Sequence, residues 1–234
     1  MNAGGPLLLI DTATTRAVVA LGGTDGSLSE QRGWTAGYRH GEELLERIGA
    51  LLADAGVALA DLGGVVVGTG PGAFTGLRVG IATAKGLAHA LSLPIVGVAT
   101  GTALLDSAAA VLGGDARLVL LQPAGPSDRV IVRRGEPPRI LPGGTDPDVA
   151  PDERLVAVDL AGRADEAAVA LGSAAVDGLA AAMLAVAANR LAAGAADDLA
   201  TLVPEYVTLP RGVRMPPPDE GVEVSGVRSK GTRP

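Results

Sequence analysis

Apolar residues fall in two rhythms along this chain, and the switches between them mark out its elements. Unbroken apolar runs, too short for helices, read as strands at 7–10, 17–21, 65–67 and 95–98, and a further strand is expected within 27–34. Leu44, Leu45, Ile48, Leu51, Leu52 and Ala55 recur at helical spacing, so 41–55 reads as an amphipathic helix with Gly56 placed to close it. A second helix is predicted over 75–91 and kept from running further by Pro94. The order β-β-β-α-β-α-β is that of an α/β lobe. The second half is patterned less strongly. It carries a short helix around 102–111, strands near 117–121, 129–133 and 155–160, and an Ala-rich helix over 174–191. Gly125-Pro126-Ser127-Asp128 supplies a turn, and 137–151 reads as a loop with a short strand at best. These divisions give an N-terminal α/β lobe over 1–100, a smaller C-terminal α/β lobe over 101–210, and a tail over 211–234. Pro216-Pro217-Pro218, glycines and scattered charges predict disorder in that tail. The sequence contains no internal repeat.

The junction at 65–80 is the most informative stretch. Val65-Val66-Val67 runs into Gly68-Thr69-Gly70-Pro71-Gly72, a strong turn signal, and then into a helix. On that helix Gly76, Gly80, Ala84 and Ala88 form a flat stripe along which another backbone can come close. Free N–H groups at a helix start can hold an anion. The alternative is a glycine-dependent turn required for packing. No Lys followed by Ser or Thr completes a P-loop, and Ala73 stands where a dinucleotide fingerprint needs its last glycine.

Gly70-Pro71-Gly72-Ala73-Phe74-Thr75-Gly76-Leu77-Arg78-Val79-Gly80, followed by Ala84-Lys85-Gly86-Leu87-Ala88, resembles the signature segment of the TsaB (YeaZ) family. The opening Leu8-Leu9-Ile10-Asp11-Thr12-Ala13-Thr14, the helix around His40-Gly41-Glu42-Glu43-Leu44-Leu45, the strand Pro94-Ile95-Val96-Gly97-Val98 and the closing Val203-Pro204-Glu205-Tyr206-Val207 are similar to that family as well. The likeness is close over roughly 7–105 and weak over about 106–198. It implies an actin-like, sugar-kinase-like ATPase fold: two ribonuclease-H-type lobes, the second reduced. It further implies a non-catalytic partner of TsaD in making threonylcarbamoyladenosine beside the tRNA anticodon, with the ATPase TsaE as a further partner. ATP, magnesium and a metal then belong to partner subunits, and tRNA is met only through the complex. The family is also expected to dimerise through its N-terminal helices, so a homodimer in isolation is a further expectation. A free-standing ATPase or phosphotransferase of the same fold is the alternative.

Composition narrows these readings. Nineteen basic against 26 acidic side chains leave a net charge of −7 in 234 residues, which argues against holding tRNA by the chain's own field. One Trp, two Tyr and one Phe are too few for a base-stacking platform. The absence of cysteine excludes disulfides and thiolate metal sites. Without a basic signal-peptide start or an evident membrane span, a cytoplasmic location is expected. His40 and His89 are the only histidines and lie 49 positions apart, so neither H-E-x-x-H nor a His pair one turn apart exists. The resemblance implies that TsaD holds a metal through such a pair. No G-x-S-x-G nucleophile elbow is present either.

Candidate residues fall into two groups. The motif loop, a weak nucleotide contact at most, comprises Asp11, Thr12, Gly70, Pro71, Gly72, Thr75 and Gly76. Asp11 is read either as a magnesium-linked acid or as a strand-end residue bonding the turn after it, and Ala13 occupies the place of an expected phosphate-turn glycine. Val158-Asp159-Leu160-Ala161-Gly162 is the nearest second acidic motif, and Thr75 can cap the second helix. No catalytic and no metal-binding residue is assigned. In the second group, Leu77, Ile81, Ala84, Ala88 and Leu91 suit the sheet, while Val79, Ala82, Thr83, Gly86 and Ala90 face away and suit a partner helix. Arg78 and Lys85 are the helix's only charges before His89; Arg78 calls for a carboxylate from a partner or from helix 41–55, and Glu43 and Arg47 form a polar rim. The segment 120–130 departs from the family pattern, with Pro123 and Pro126 interrupting it.

Overall fold

The computed structural model describes residues 4–36 and 40–207, the side chains of 40–42 excepted; the expected tail at 211–234 lies outside the described residues. The first sheet joins β1 (Leu7–Asp11), β2 (Arg16–Gly22), β3 (Leu28–Thr35), β4 (Gly64–Gly70) and β5 (Ile95–Ala99) in the order β3-β2-β1-β4-β5. The first three strands form an antiparallel meander, whereas β1, β4 and β5 run parallel. Parallel neighbours need a crossover, and α2 (Phe74–Leu91) makes it from β4 to β5. α1 (His40–Asp54) returns the chain from β3 to β4. Leu8, Ile10, Val19, Leu21, Val65 and Val67 pack toward α1 and α2. Leu7, Leu9, Ala20, Val66 and Val96 face the other way, into a core shared with the second lobe. Burial on both faces is why these strands read as unbroken apolar runs.

The second sheet, β6 (Arg117–Pro123), β7 (Arg129–Arg133), β8 (Arg139–Leu141) and β9 (Glu153–Ala157), has the order β8-β7-β6-β9 with β6 and β9 parallel. It repeats the first sheet without a fifth strand. α3 (Thr100–Val111) and α5 (Leu179–Ala192) fill the space between the sheets, and α4 (Glu166–Asp177) packs on β9. A Cβ on Gly172 of α4 would stand 2.0 Å from the Ala157 carbonyl, so a small residue is required there. The single helix expected over 174–191 is in fact α4 and α5, bent by 51° at Gly178. Asp165 caps α4 by accepting from the Ala167 and Ala168 N–H groups, and a Cβ on Gly178 would meet Ser107 Oγ of α3 at 2.4 Å. Helix propensity alone carries no trace of that tertiary contact. The strand expected over 155–160 starts and ends earlier, and the chain leaves the sheet before Asp159, which has φ +59°.

Between β8 and β9 the second lobe has a loop where the first lobe has α1. Arg129 and Arg133 donate to the Thr145 and Asp148 carbonyls, and Asp128 accepts from the Gly143 N–H at 3.0 Å. Arg133 also pairs with Glu153 at 3.1 Å, which holds the Glu153 carboxyl below its ordinary range.

The chain from 195 to 207 returns to the first lobe. Asp197 forms a bridge to Ile95 on β5, the edge strand of the first sheet. Its carboxylate accepts from the Gly97 N–H at 2.7 Å and pairs with both terminal nitrogens of Arg190, which also donates to the Gly97 and Ala195 carbonyls. Burial works against the Asp197 charge, yet Arg190 and the Gly97 N–H hold its pKa below the ordinary aspartate value. Stability from this clasp is therefore present at neutral pH and lost as pH falls through that depressed value. Asp197→Asn is expected to cost about 2 kcal/mol in urea unfolding at pH 7. The deficit should shrink in the acid range, where the wild-type carboxylate is also neutralised.

Candidate functional site

At the C-terminal end of β1 the side chain of Asp11 turns inward and is fully buried. Its Oδ1 accepts from the Ala13 N–H at 3.0 Å, and its Oδ2 accepts from Thr100 Oγ1, the first residue of α3, at 2.7 Å. Gly68 makes room for it, since a Cβ there would lie 1.8 Å from Oδ2. Burial raises the Asp11 pKa, and the Thr100 and Ala13 hydrogen bonds only partly offset this. The geometry matches the strand-end reading of Asp11, in which the carboxylate braces the turn.

That turn is pressed into the glycine-rich segment. Thr12 Oγ1 donates to the Gly76 carbonyl at 2.7 Å, and Ala73 N–H donates to the Ala13 carbonyl at 2.7 Å. Hypothetical Cβ atoms on Gly72 and Gly76 would stand 2.2 and 2.1 Å from the Ala13 and Thr12 carbonyls. Gly70 adopts φ +106°, a conformation open to glycine, ahead of the cis Gly70–Pro71 peptide. The glycines thus admit a neighbouring backbone into the space that phosphates would need. Thr75 does not cap α2: the helix begins at Phe74 with Ala73 in the cap position, and no side chain bonds there. The packed strand exit, rather than a hydroxyl, sets its start.

Across the cleft, Asp159 is tied to this same turn. Thr15 donates to its carboxylate from both N–H (2.8 Å) and Oγ1, and Arg16 pairs with Asp177 of α4. The two acidic motifs seen in the sequence therefore brace the lobes against one another. Both carboxylates take hydrogen bonds from the protein itself, Asp11 from Ala13 and Thr100 and Asp159 from Thr15. The described residues contain no cluster of three or more His, Asp and Glu suited to a metal ion. His89 lies exposed near the end of α2, and the His40 side chain is outside the described set.

The second group of candidates sits on α2. Leu77, Ile81, Ala84 and Ala88 are buried toward the sheet, while Arg78, Ala82, Gly86 and Ala90 are exposed at four-residue spacing; Val79, Thr83 and Lys85 are half-buried between these faces. A Cβ on Gly86, or on Gly49 of the neighbouring α1, would meet nothing within 4 Å. Arg47 lies 5.7 Å from the Trp34 ring, and Glu43 is half-buried. Arg78 pairs with no carboxylate among the described side chains of α1. Its guanidinium stacks 4.0 Å over the Phe74 ring, and its Nε donates to Tyr206 Oη at 3.0 Å. Lys85 donates to the Leu202 carbonyl at 3.2 Å. Sequence reading missed Thr100, Gly68, Phe74 and Tyr206 as parts of these arrangements. The scarcity of aromatics was the available signal for the last two.

The family described as TsaD: tRNA N6-adenosine threonylcarbamoyltransferase matches residues 35–208. The structure of YeaZ from Pseudomonas aeruginosa superposes with a TM-score of 0.65 at 25% identity, covering 86% of this chain and 99% of that one. The tRNA threonylcarbamoyladenosine biosynthesis protein TsaB of Escherichia coli (strain K12) is 38% identical over 94 residues, 40% of each protein. The chain belongs to the TsaD family, in its TsaB/YeaZ branch. Its fold is of the actin-like ATPase type, with two sheets of related order and a reduced second lobe. An uncharacterized protein of Mycobacterium leprae (strain TN) is 42% identical over 116 residues, 48% of this chain and 31% of the relative. The chain spans less than half of the length of these curated relatives.

Two outcomes follow for this TsaB/YeaZ-type turn. Gly76→Ala should destabilise the fold by about 3 kcal/mol, because its methyl collides with backbone that cannot swing away; chemical denaturation measures it. Since the folded protein binds the Asp11 proton more tightly than the unfolded chain, Asp11 costs stability as pH rises from the ordinary carboxylate value toward the raised one. Asp11→Asn should therefore melt higher than wild type at pH 7, with the gap closing in acid. A gap independent of pH would show that the carboxyl titrates normally.

Proposed function

We propose that this chain is a non-catalytic subunit that binds TsaD and supports transfer of the threonylcarbamoyl group to the adenosine beside the tRNA anticodon. The observation that supports this reading is the braced cleft: Asp11 holds Ala13 and Thr100, and Asp159 holds Thr15, so both carboxylates serve the fold. Family membership and the TsaB-named relatives support a role in tRNA threonylcarbamoyladenosine biosynthesis. The exposed row Arg78, Ala82, Gly86 and Ala90 supports docking of a partner helix, since small side chains let two helices approach closely. A standard interface there buries about 800 Å² per side.

On this reading TsaD holds the metal and performs the transfer, while TsaE contributes ATP hydrolysis with magnesium. The net charge of −7 fits a subunit that meets tRNA only within the complex. Among the described residues no single helix is long and apolar enough to cross a membrane. The cytoplasm, where tRNA is modified, is the proposed location.

The decisive experiment is a tRNA-modification assay with the organism's own TsaD and TsaE, with and without this chain. Activity should require the chain, and Ala82→Arg or Gly86→Arg should abolish both co-purification with TsaD and activity while leaving circular dichroism unchanged. Calorimetry on the isolated chain should detect weak ATP binding or none, and no hydrolysis. Micromolar ATP affinity lost on Asp11→Ala would instead support a free-standing ATPase.

A further inference from the structure

The proposed partner face has an unusual corner at the start of α2. Phe74 and Tyr206 are two of the four aromatic residues in the chain, and their rings meet at a tilt of 36° with centroids 5.2 Å apart. Arg78 lies over Phe74 and is held by Tyr206 through Nε alone. The two terminal nitrogens have no acceptor among the described residues, and no described carboxylate lies within 4.0 Å of them. Arg78 is exposed near the start of α2. Most other arginines of the described chain behave differently. Arg16, Arg32, Arg117, Arg133, Arg134, Arg139 and Arg190 all pair with Asp or Glu, as expected in an acidic protein.

We infer that Arg78 is a preset fork for a carboxylate on the partner's docking helix, and that the 195–207 strap is part of the docking surface because it positions that fork. Stacking on Phe74 and the bond to Tyr206 fix the guanidinium plane, so little side-chain entropy remains to be lost when a carboxylate arrives. An Arg framed by aromatics at the edge of a small-residue surface has the composition of an interface hot spot. The strap brings Tyr206 to this place through three ties: Asp197 on Arg190 and Gly97, Leu202 on Lys85, and the Glu205 N–H on the Thr69 carbonyl at 2.7 Å. Val203, on the same strap, is 63% exposed. Charge complementarity selects the occupant: one rigid cation beside a flat Ala and Gly surface suits an acidic side chain on a helix. A nucleic-acid backbone calls for several cations in a row.

This inference rests on the proposed function, and its test separates the two. Affinity of the full chain for the organism's TsaD is measured for wild type, Ala82→Arg, Arg78→Glu, Arg78→Lys and Tyr206→Phe, each checked for an unchanged melting temperature. Arg78→Glu is expected to raise Kd at least about tenfold, and Arg78→Lys to weaken binding as well because an ammonium cannot make the bidentate contact. Tyr206→Phe keeps the stacking but frees Nε and should raise Kd about threefold. If Ala82→Arg abolishes pairing while Arg78→Glu binds within about twofold of wild type, the fork is refuted and the proposed function stands. If Ala82→Arg also pairs normally, the docking face itself is wrong. Normal pairing of Arg78→Glu with loss of tRNA from the complex would make the fork's ligand a phosphate and overturn the inference.

Discussion

The close approach of two backbones at the end of β1 governs the rest of the molecule. The Thr12-Ala13 peptide enters the glycine-rich segment at van der Waals limits that only glycine permits, as the 2.1 and 2.2 Å clashes of hypothetical Cβ atoms at Gly76 and Gly72 show. This contact fixes where α2 starts and how deeply its inner stripe seats on the sheet. It also decides the fate of Asp11, which is carried into the interior and must find donors there. Ala13 N–H and Thr100 supply them, and Thr100 in turn accepts from the Gly70 N–H at 3.3 Å. A buried carboxylate bonded to the turn after β1 and to α3, whose Thr100 is bonded in turn to β4, is an organising point for the first lobe.

The second lobe follows the same plan with less material. Its four strands repeat the order of the first four, and the apolar faces of both sheets meet across α3 and α5 in one core. The outer face loses a helix and gains a loop pinned by Arg129 and Arg133. Pinning a loop by its carbonyl groups gives partners to polar backbone that has none in a strand or helix. With Thr15 bonded to Asp159 and Arg16 paired with Asp177, the lobes are joined by polar contacts as well as by the shared core.

The strap links fold to surface. An edge strand such as β5 presents unpaired backbone groups that invite unwanted pairing, and the Asp197–Arg190 clasp covers them. The same segment then lays Tyr206 beside Phe74 and Arg78, so the device that protects the sheet edge also shapes one end of the exposed helical face.

Much of this was legible in the sequence, for a local reason. Runs such as Leu7-Leu8-Leu9-Ile10, the stripe on 41–55 and the turn at Gly70-Pro71-Gly72 reflect burial and backbone demands met within a few residues. They sufficed to predict the first-lobe strands and helices and the exposed positions Ala82, Gly86 and Ala90 of α2, but not the half-burial of Thr83 or of Val79, which packs against the first-lobe core. The break at Gly178 escaped because it answers to Ser107, 71 positions earlier in the chain. Thr75 was misread as a cap because the helix start is set by Ala13, and the contact of Arg78 with Tyr206 was not foreseen because the two lie 128 positions apart. Whether Asp11 faced a ligand or the interior could not be read from Asp11-Thr12-Ala13 alone. Periodicity and turn chemistry record what a segment needs from its neighbours in sequence; the partner that satisfies a buried charge, a clipped helix or a stacked cation is chosen only when distant segments pack.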